Sequence, residues 1–302
     1  MSIVFLFRSV NCIVACYTKL RMAKLLSGSD LAEFIKARQL TQARNLRQTY
    51  RIIPKLAIVT TSKNPVIATY MRLKQAYGND IGVEVEVFSV QSSEVIETLA
   101  HLNDNESFQS IIVQLPLDDA AATDEVLGQI NPAKDVDGLN PAGTHFDAAT
   151  PQAINWLLAG YNVDLQHKKV AIVGRGRLVG APLEKMWRQS GVNVDVYEKG
   201  DSIDSLRDAD IIVTATGIPR LITSRHVSLG ATVIDAGTAS ESGKIVGDVD
   251  DDVRLRPDVS ITPKIGGVGP LTVASLFENA LLAARRIAER EGPKDGSTTQ
   301  NR

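Results

Sequence analysis

The sequence predicts an α/β protein of two domains, each built on a parallel β-sheet covered by helices. Its 302 residues correspond to two domains at roughly 150 residues each. Short apolar runs rich in β-branched residues alternate with amphipathic helical segments, and this order favours parallel strands joined by crossover helices. The alternation begins again near residue 169, where a strand runs into a glycine-rich turn.

The first α/β unit is predicted over residues 22–130. Asp30 followed by Glu33 forms a capping-box pattern, which begins the first helix. Asn64-Pro65 supplies an N-cap and a first-turn proline for a second helix, which we expect to end near Tyr77 because Gly78 follows. The other predicted elements are strands at 56–59, 83–90 and 111–114 and helices at 94–102 and 123–130.

The second α/β unit follows a loop-rich connection and a bridging helix that opens at Thr150-Pro151. Its predicted strands are 170–173, 193–197, 211–216 and 232–235, with helices at 181–189 and 271–289. The last helix carries apolar residues along one face, so it should pack on a core. The residues after it are rich in Gly, Ser, Thr and charge, which predicts a disordered tail.

Composition excludes several classes of function. Lys plus Arg at 33 against Asp plus Glu at 35 gives a net charge of −2, so no basic field exists to hold nucleic acid or an anionic membrane. Cys12 and Cys16 are the only cysteines, which excludes a zinc site or a catalytic thiol in the body of the fold. No apolar stretch approaches the ~18 residues of a membrane span. Four isolated histidines also argue against a metal site: His101, His145, His167 and His226.

The first 21 residues contain three basic residues and no acid. This pattern fits a secretory signal poorly and an organellar transit peptide somewhat better. We favour Met22 as the true start, because the chain runs from it directly into the first predicted helix. Residues 1–21 are then an extension, and the expected location is cytoplasmic unless the segment is a transit peptide.

A dinucleotide site is predicted after the strand at 170–173. Gly174, Gly176 and Gly180 form a turn between that strand and a helix, where backbone amides can approach a pyrophosphate. Glu198 ends the following strand, the position at which an acid accepts a hydrogen bond from a ribose hydroxyl. The alternative is that the glycines only close a tight turn and that Glu198 is an ordinary exposed acid.

The catalytic candidates follow from spacing and strand ends. Tyr70 and Lys74 are four residues apart and share a helix face, although alone they could be a solvated lysine beside a half-buried tyrosine. Gln114 ends an apolar strand, where ligands collect in open α/β sheets. Asp135 and Asp137 lie in a later loop, and a glycine run precedes the last helix. A lysine, an amide and a carboxylate beside a dinucleotide would suit proton transfer coupled to hydride transfer.

At these residues the sequence resembles the bifunctional methylenetetrahydrofolate dehydrogenase/methenyltetrahydrofolate cyclohydrolase (FolD) family. The resemblance covers about Met22 to Arg286. The strings that carry it, in order, are Tyr70-x-x-x-Lys74, Val113-Gln-Leu-Pro-Leu117, Lys134-Asp-Val-Asp-Gly138, Val179-Gly-x-Pro182, Val246-Gly-Asp-Val-Asp250 and Gly266-Gly-Val-Gly-Pro-Leu-Thr272.

The resemblance implies an amino-terminal folate-binding domain and a Rossmann-type NAD(P)-binding domain with the active site in the cleft between them. It also implies tetrahydrofolate derivatives as substrates, a homodimer, and a place in one-carbon metabolism and purine biosynthesis. The implied division is 1–21 for the extension, 22–145 with 271–289 for the catalytic domain, 146–270 for the nucleotide domain and 290–302 for the tail.

The resemblance further implies a role for each matched residue. Lys74 is the catalytic lysine, Gln114 positions it, and Tyr70 packs on the folate ring. Asp137 holds the amino edge of the pterin, and a lysine without a carboxylate partner can have a depressed pKa. Two residues of the run that precedes the last helix, Gly267 and Pro270, line the folate side.

The departures from the family lie at the nucleotide. Gly176 replaces a serine, and Glu198-Lys-Gly200 replaces a His-Ser-Arg run. Glu198 would repel a 2′-phosphate, whereas Arg175 and Lys199 could attract one. The predicted cofactor contacts are Gly174, Arg175, Gly176, Gly180, Glu198, Lys199 and Thr216. NADP is the family expectation, and NAD is an alternative.

Three alternatives stay open from the sequence. The first is a monofunctional cyclohydrolase that has lost dehydrogenase activity. The second is a shikimate-dehydrogenase-like oxidoreductase, which shares the two-domain plan but does not call for the glutamine-leucine-proline string. The third is a folate or nucleotide binder without catalysis, and a turnover assay separates it from an enzyme.

Overall fold

The computed structural model describes residues 22–241 and 244–293, and it confirms a two-domain α/β fold with parallel sheets. The predicted extension 1–21 and the predicted tail from residue 294 onward lie outside the described residues. The elements in chain order are β1 (Lys24–Leu25), α1 (Gly28–Thr49), β2 (Lys55–Thr60), α2 (Pro65–Ile81), β3 (Glu84–Ser89), α3 (Val95–Asp104), β4 (Ser110–Val113), α4 (Thr123–Gly128), α5 (Ala149–Gly160), β5 (Val170–Val173), α6 (Gly180–Gln189), β6 (Val194–Tyr197), β7 (Ile211–Thr214), β8 (Thr232–Asp235), β9 (Ala239–Glu241), β10 (Lys244–Val246), α7 (Asp251–Arg254), β11 (Ser260–Ile261) and α8 (Val268–Glu291).

The two parallel sheets differ in size. The smaller has the order β3-β2-β4, and the larger has the order β1-β11-β8-β7-β5-β6. β9 and β10 form a separate antiparallel pair. Central strands such as β2, β5 and β7 are almost wholly buried and apolar, which is typical of parallel strands covered on both faces. No helix among the described residues is long and apolar enough to cross a membrane.

β1 joins the larger sheet although it precedes the smaller one in the chain. Lys24 and Leu25 pair in parallel with Ser260 and Ile261 of β11. A two-residue strand has no periodicity, so no sequence pattern predicts it. The predicted division assigns residues 22–145 to the catalytic domain and therefore separates β1 from the sheet that it joins.

α2 extends four residues beyond its predicted end at Tyr77. Gly78 does not stop the helix but allows it to pack, because a Cβ at this position would lie 2.4 Å from Val85 Cγ2. The helix ends instead at Gly82, whose φ of 81° is the left-handed conformation of a glycine C-cap. A glycine required for close packing and a glycine that ends a helix look alike in sequence.

The last helix, α8, contributes to the cores beneath both sheets. It begins at Val268, three residues before the predicted start, and it includes residues 290 and 291, which the sequence assigns to the tail. Its first turns carry Leu271 and Ala274 into the core below the larger sheet. Its later turns carry Phe277 and other residues into the core below the smaller sheet. α8 thus connects the two domains through packed side chains.

Candidate functional site

Lys74 meets Gln114 at the carboxyl end of β4. Its Nζ donates a hydrogen bond of 2.8 Å to Gln114 Oε1, and Gln114 Nε2 donates to the carbonyl oxygen of Leu115 at 2.9 Å. The second bond orients the amide so that its oxygen faces the lysine. The backbone N–H of Gln114 donates to Val59 O of β2, which holds the residue in line with the sheet. The structure therefore brings together two residues that lie 40 positions apart in the chain.

The electrostatics of Lys74 and Asp137 are coupled. Burial lowers the pKa of the Lys74 ammonium below its ordinary value, and the charge of Asp137 partly opposes that change. Burial raises the pKa of Asp137, and Lys74 opposes that shift in turn. Within the described residues Lys74 has no carboxylate within 4.0 Å, so Asp137 acts on it through space. The result is a lysine that gives up its proton at a lower pH than an exposed lysine.

We expect Asp137→Asn to lower the pKa of Lys74 further. The carboxylate is the group that raises this pKa against the effect of burial, so its removal leaves burial unopposed. The rising limb of any rate that needs neutral Lys74 should then move to lower pH. A titration of the lysine side-chain ¹⁵Nζ signals measures the shift, with the Lys74 signal assigned by its loss in Lys74→Met.

A matched control for this titration is Asp104→Asn. The charge of Asp104 opposes the lowering of the pKa of Lys134 by burial, and the Nζ of this lysine donates to Asn105 O just after α3. This variant should therefore move the Lys134 signal and leave Lys74 unchanged. An unchanged or higher pKa of Lys74 in Asp137→Asn would contradict the coupling.

The other predicted substrate contacts lie on α2 and at the start of α8. Tyr70 is 36% exposed one helical turn before Lys74, which leaves its ring free to stack on a ligand. Gly267 is the N-cap of α8, and Pro270 is half-buried in its first turn. The preceding Gly266 O accepts the backbone N–H groups of Gly28 and Ser29 at the start of α1. This turn is thereby anchored to the first long helix.

The glycine-rich turn divides into two tightly packed positions and one open one. Gly174 has φ of 95°, and a Cβ there would lie 2.7 Å from Ala215 O. A Cβ on Gly180 would lie 1.8 Å from Gly174 O, so both residues are required to be glycine. A Cβ on Gly176 would meet no atom within 4 Å. The open space over Gly176, at the N-terminus of α6, is the cradle in which a pyrophosphate would lie.

Arg175 connects the turn to the end of β6. Its Nε donates to Glu184 Oε2 at 2.7 Å, and its Nη1 donates to Glu198 Oε1 at 3.3 Å. Glu184 also accepts from Arg188 Nε at 3.0 Å. Lys199 is exposed beside them. The sequence predicted Arg175, Glu198 and Lys199 as site residues but not Glu184. Glu184 lies one helical turn into α6, which places it beside the glycine turn.

The backbone of Thr216 is bonded to Asp248, which the sequence did not predict as a site residue. Its backbone N–H and the Thr214 hydroxyl both donate to Asp248 Oδ2, each at 2.6 Å. Asp248 is fully buried, and its backbone N–H donates to Asp235 Oδ1 at 3.0 Å. The only sequence signal for Asp248 was its place in the string Val246-Gly-Asp-Val-Asp250.

Asp235 forms a buried ion pair with Arg254, and Arg254→Met should strongly destabilise the fold. Their side chains are 4% and 10% exposed, with Oδ2 and Nη2 3.0 Å apart. Removing one partner of a buried pair leaves an uncompensated charge, so we expect a loss of about 3–5 kcal/mol in the free energy of unfolding. Urea titration followed by circular dichroism measures it.

The control for this change is Arg285→Met, which removes an arginine from the exposed pair with Glu289 on α8. Exposed pairs contribute little to stability, so this variant should unfold close to the wild type. Equal unfolding curves for both variants would show that the Asp235–Arg254 pair does not stabilise the larger sheet.

An ion pair also joins the two halves of the site. Arg177, in the glycine turn, pairs with Asp124 at the start of α4. Both side chains are exposed, and each lies in a different α/β unit. This contact was missed because nothing in either local pattern indicates a partner 53 residues away.

Two protein-family models match the chain. The first, the catalytic domain of tetrahydrofolate dehydrogenase/cyclohydrolase, matches residues 26–137. The second, the NAD(P)-binding domain of the same enzyme, matches residues 148–288. The chain is also 34% identical over 279 residues to the bifunctional protein FolD of Staphylococcus aureus (strain JH9), covering 87% of this chain and 97% of that protein.

Solved structures show the same similarity. The bifunctional FolD methylenetetrahydrofolate dehydrogenase/cyclohydrolase of Campylobacter jejuni aligns with a TM-score of 0.82 and 34% identity, over 88% of this chain and 99% of its own. The Trypanosoma brucei methylenetetrahydrofolate dehydrogenase-cyclohydrolase, complexed with NADP and an inhibitor, aligns with a TM-score of 0.83 and 29% identity, over 88% and 98%. The similarity therefore extends over both sheets.

Proposed function

The chain belongs to the tetrahydrofolate dehydrogenase/cyclohydrolase family, and from this premise we propose that it catalyses two consecutive reactions on a folate-bound one-carbon unit. The first oxidises methylenetetrahydrofolate to methenyltetrahydrofolate by hydride transfer. The second hydrolyses the methenyl product to formyltetrahydrofolate. The observation that carries the proposal is the bond between Lys74 and Gln114, with Asp137 acting on the same lysine.

The residues of the glycine turn fit a nicotinamide dinucleotide. The space over Gly176 accepts a pyrophosphate against the amides of the turn, while Gly174 and Gly180 allow the close packing that shapes it. Glu198, Arg175 and Lys199 would contact the adenosine ribose, and Thr216 would contact the nucleotide from the turn after β7. When bound, NAD(P) supplies the acceptor for the hydride.

Lys74 manages protons in the hydrolysis. The methenyl carbon is cationic, so water adds to it and must lose a proton. Neutral Lys74 accepts that proton and delivers it to the ring nitrogen, whose bond to the one-carbon unit breaks as the ring opens. The hydroxyl of the adduct releases its own proton to solvent and becomes the formyl carbonyl. Burial favours the neutral form, and Gln114 Oε1 accepts from the Lys74 amine at 2.8 Å and fixes its direction. This one group can therefore act as base and then as acid.

The remaining contacts orient the folate. Tyr70 stacks on the ring, and Asp137 accepts hydrogen bonds from the amino edge of the pterin. Gly267 and Pro270 line the folate side of the site. In this proposal residues 22–145 with 271–289 form the folate side, apart from β1, and residues 146–270 form the nucleotide side. The product, formyltetrahydrofolate, would place the enzyme in one-carbon supply to purine biosynthesis.

The proposed assembly is a homodimer. β6 forms one edge of the larger sheet, which leaves a row of backbone groups available to a second copy. Light scattering coupled to size exclusion measures the mass directly, and a monomer at assay concentration would contradict this part of the proposal.

The test of function is an assay of the purified chain with methylenetetrahydrofolate and each nicotinamide nucleotide. We expect reduced nucleotide to form and methenyltetrahydrofolate to be hydrolysed. Hydrolysis without hydride transfer to either nucleotide would indicate the monofunctional cyclohydrolase. Binding without turnover would indicate a folate-binding protein, and both outcomes would overturn the bifunctional proposal.

A further inference from the structure

We propose that this chain selects NAD over NADP, because Glu198 and the carboxylates around Arg175 exclude a phosphate from the 2′ position of the adenosine ribose. The inference deepens the proposed function and rests on it only in taking the turn after β5 as a dinucleotide site. It departs from the family expectation of NADP.

Glu198 lies at the position that reads the ribose. The N–H of Gly174 donates to Tyr197 O at 2.8 Å, so the end of β6 is bonded to the first residue of the glycine turn. Glu198 follows at once, and its side chain is 57% exposed. An acid at this place accepts hydrogen bonds from ribose hydroxyls, and a carboxylate there repels a phosphate. The charge of Glu198 therefore favours the nucleotide that ends in a hydroxyl.

Arg175 is the residue that could reverse this preference, but two carboxylates already engage it. Its Nε bonds to Glu184 and its Nη1 to Glu198. Glu184 is only 13% exposed and is held again by Arg188, so it does not move aside easily. The two carboxylates offset the charge of the guanidinium, so Arg175 attracts a 2′-phosphate less than an unpaired arginine would. A ribose hydroxyl does not depend on that attraction, because Glu198 can accept from it while it stays near Arg175.

The backbone N–H of Glu198 is also bonded to a carboxylate, that of Asp201. The Glu198 N–H donates to Asp201 Oδ2 at 2.7 Å, so this amide is not free to bind a phosphate oxygen. Asp201 is thus a second carboxylate in the loop that follows β6. Lys199 is the exposed cation between them and is the residue through which NADP would have to gain affinity. The balance of contacts favours the unphosphorylated ribose.

The experiment is isothermal titration calorimetry of the full chain with NAD and with NADP, in the absence of folate. We expect the wild type to bind NAD at least tenfold more tightly than NADP. Glu198→Gln keeps the size of the side chain and removes its charge, so it should reduce the preference at least fivefold, mainly by tighter NADP binding.

The control is Glu289→Gln on α8, where a glutamate that is 56% exposed pairs with Arg285 at 2.8 Å. It removes the same charge from a similar environment and should leave both dissociation constants unchanged. Equal or tighter binding of NADP by the wild type would overturn the proposed selectivity alone. An unchanged ratio in Glu198→Gln would do the same. Binding of neither nucleotide would overturn the dinucleotide site and with it the dehydrogenase.

Discussion

Replacing Lys74 with methionine is expected to abolish hydrolysis of methenyltetrahydrofolate while the protein remains folded. The substitution keeps the length of the side chain but removes the only proton donor and acceptor that we place at the reacting carbon. Positioned acid–base groups contribute rate factors of about 10²–10⁴, so the rate of hydrolysis should fall below the wild-type rate by a factor in that range. Methionine removes the hydrogen bond to Gln114, but burial already disfavours the ammonium, so the protein should stay folded with at most a small loss of stability.

The measurement is the decay of methenyltetrahydrofolate absorbance, with the thermal unfolding midpoint recorded on the same preparation. Lys168→Met is the matched control, because Lys168 is an exposed lysine just before the amino end of β5, away from the strand ends that form the site. It should keep both the rate and the midpoint. Turnover of Lys74→Met at the wild-type rate would remove Lys74 from the mechanism, whatever its effect on stability.

Gly180→Ala is expected to disrupt the nucleotide site, because one methyl group would collide with the backbone. The added Cβ would lie 1.8 Å from Gly174 O, and neither residue can move without opening the turn. Overpacking of this kind costs about 1–3 kcal/mol in the free energy of unfolding. The displaced turn no longer shapes the pyrophosphate cradle, so dehydrogenase activity should fall by at least two orders of magnitude, and hydrolysis at Lys74 should fall much less.

Gly176→Ala gives the matched comparison within the same turn. Its Cβ enters open space, so the free energy of unfolding should stay within about 0.5 kcal/mol of the wild type. Denaturant titration of both variants, with the two activities assayed in parallel, measures the contrast. Equal stability of the two alanine variants would contradict the packing described for Gly180.

The sequence predicted the parts of the fold and site that depend on local pattern. Alternating strands and helices predicted both parallel sheets, and the strand-end position of Gln114 predicted that it would lie near other site residues. The structure adds what no local pattern contains. Gly78 reads as a helix stop until its contact with Val85 is known, and Glu184 reads as an ordinary helix residue until Arg175 reaches it.

Long-range contacts account for the remaining omissions. Asp248 binds the turn after β7 across 32 and 34 residues, and Arg177 finds Asp124 in the other α/β unit. Such partners are chosen by tertiary packing, which one sequence does not reveal. The assignment of β1 to the catalytic domain has the same cause, because β1 is too short for a pattern and is defined only by its pairing with β11.

The packing of α8 on two cores has a thermodynamic consequence. Phe277 is buried with the smaller sheet and Leu271 with the larger, six residues earlier on one helix. Unfolding either sheet would remove many of the side chains that pack on α8. It would also expose apolar residues of this helix, which forms part of the other core. Heating should therefore give one cooperative endotherm, with equal calorimetric and van't Hoff enthalpies, rather than two domain transitions. We therefore expect neither half to keep its core when expressed without α8.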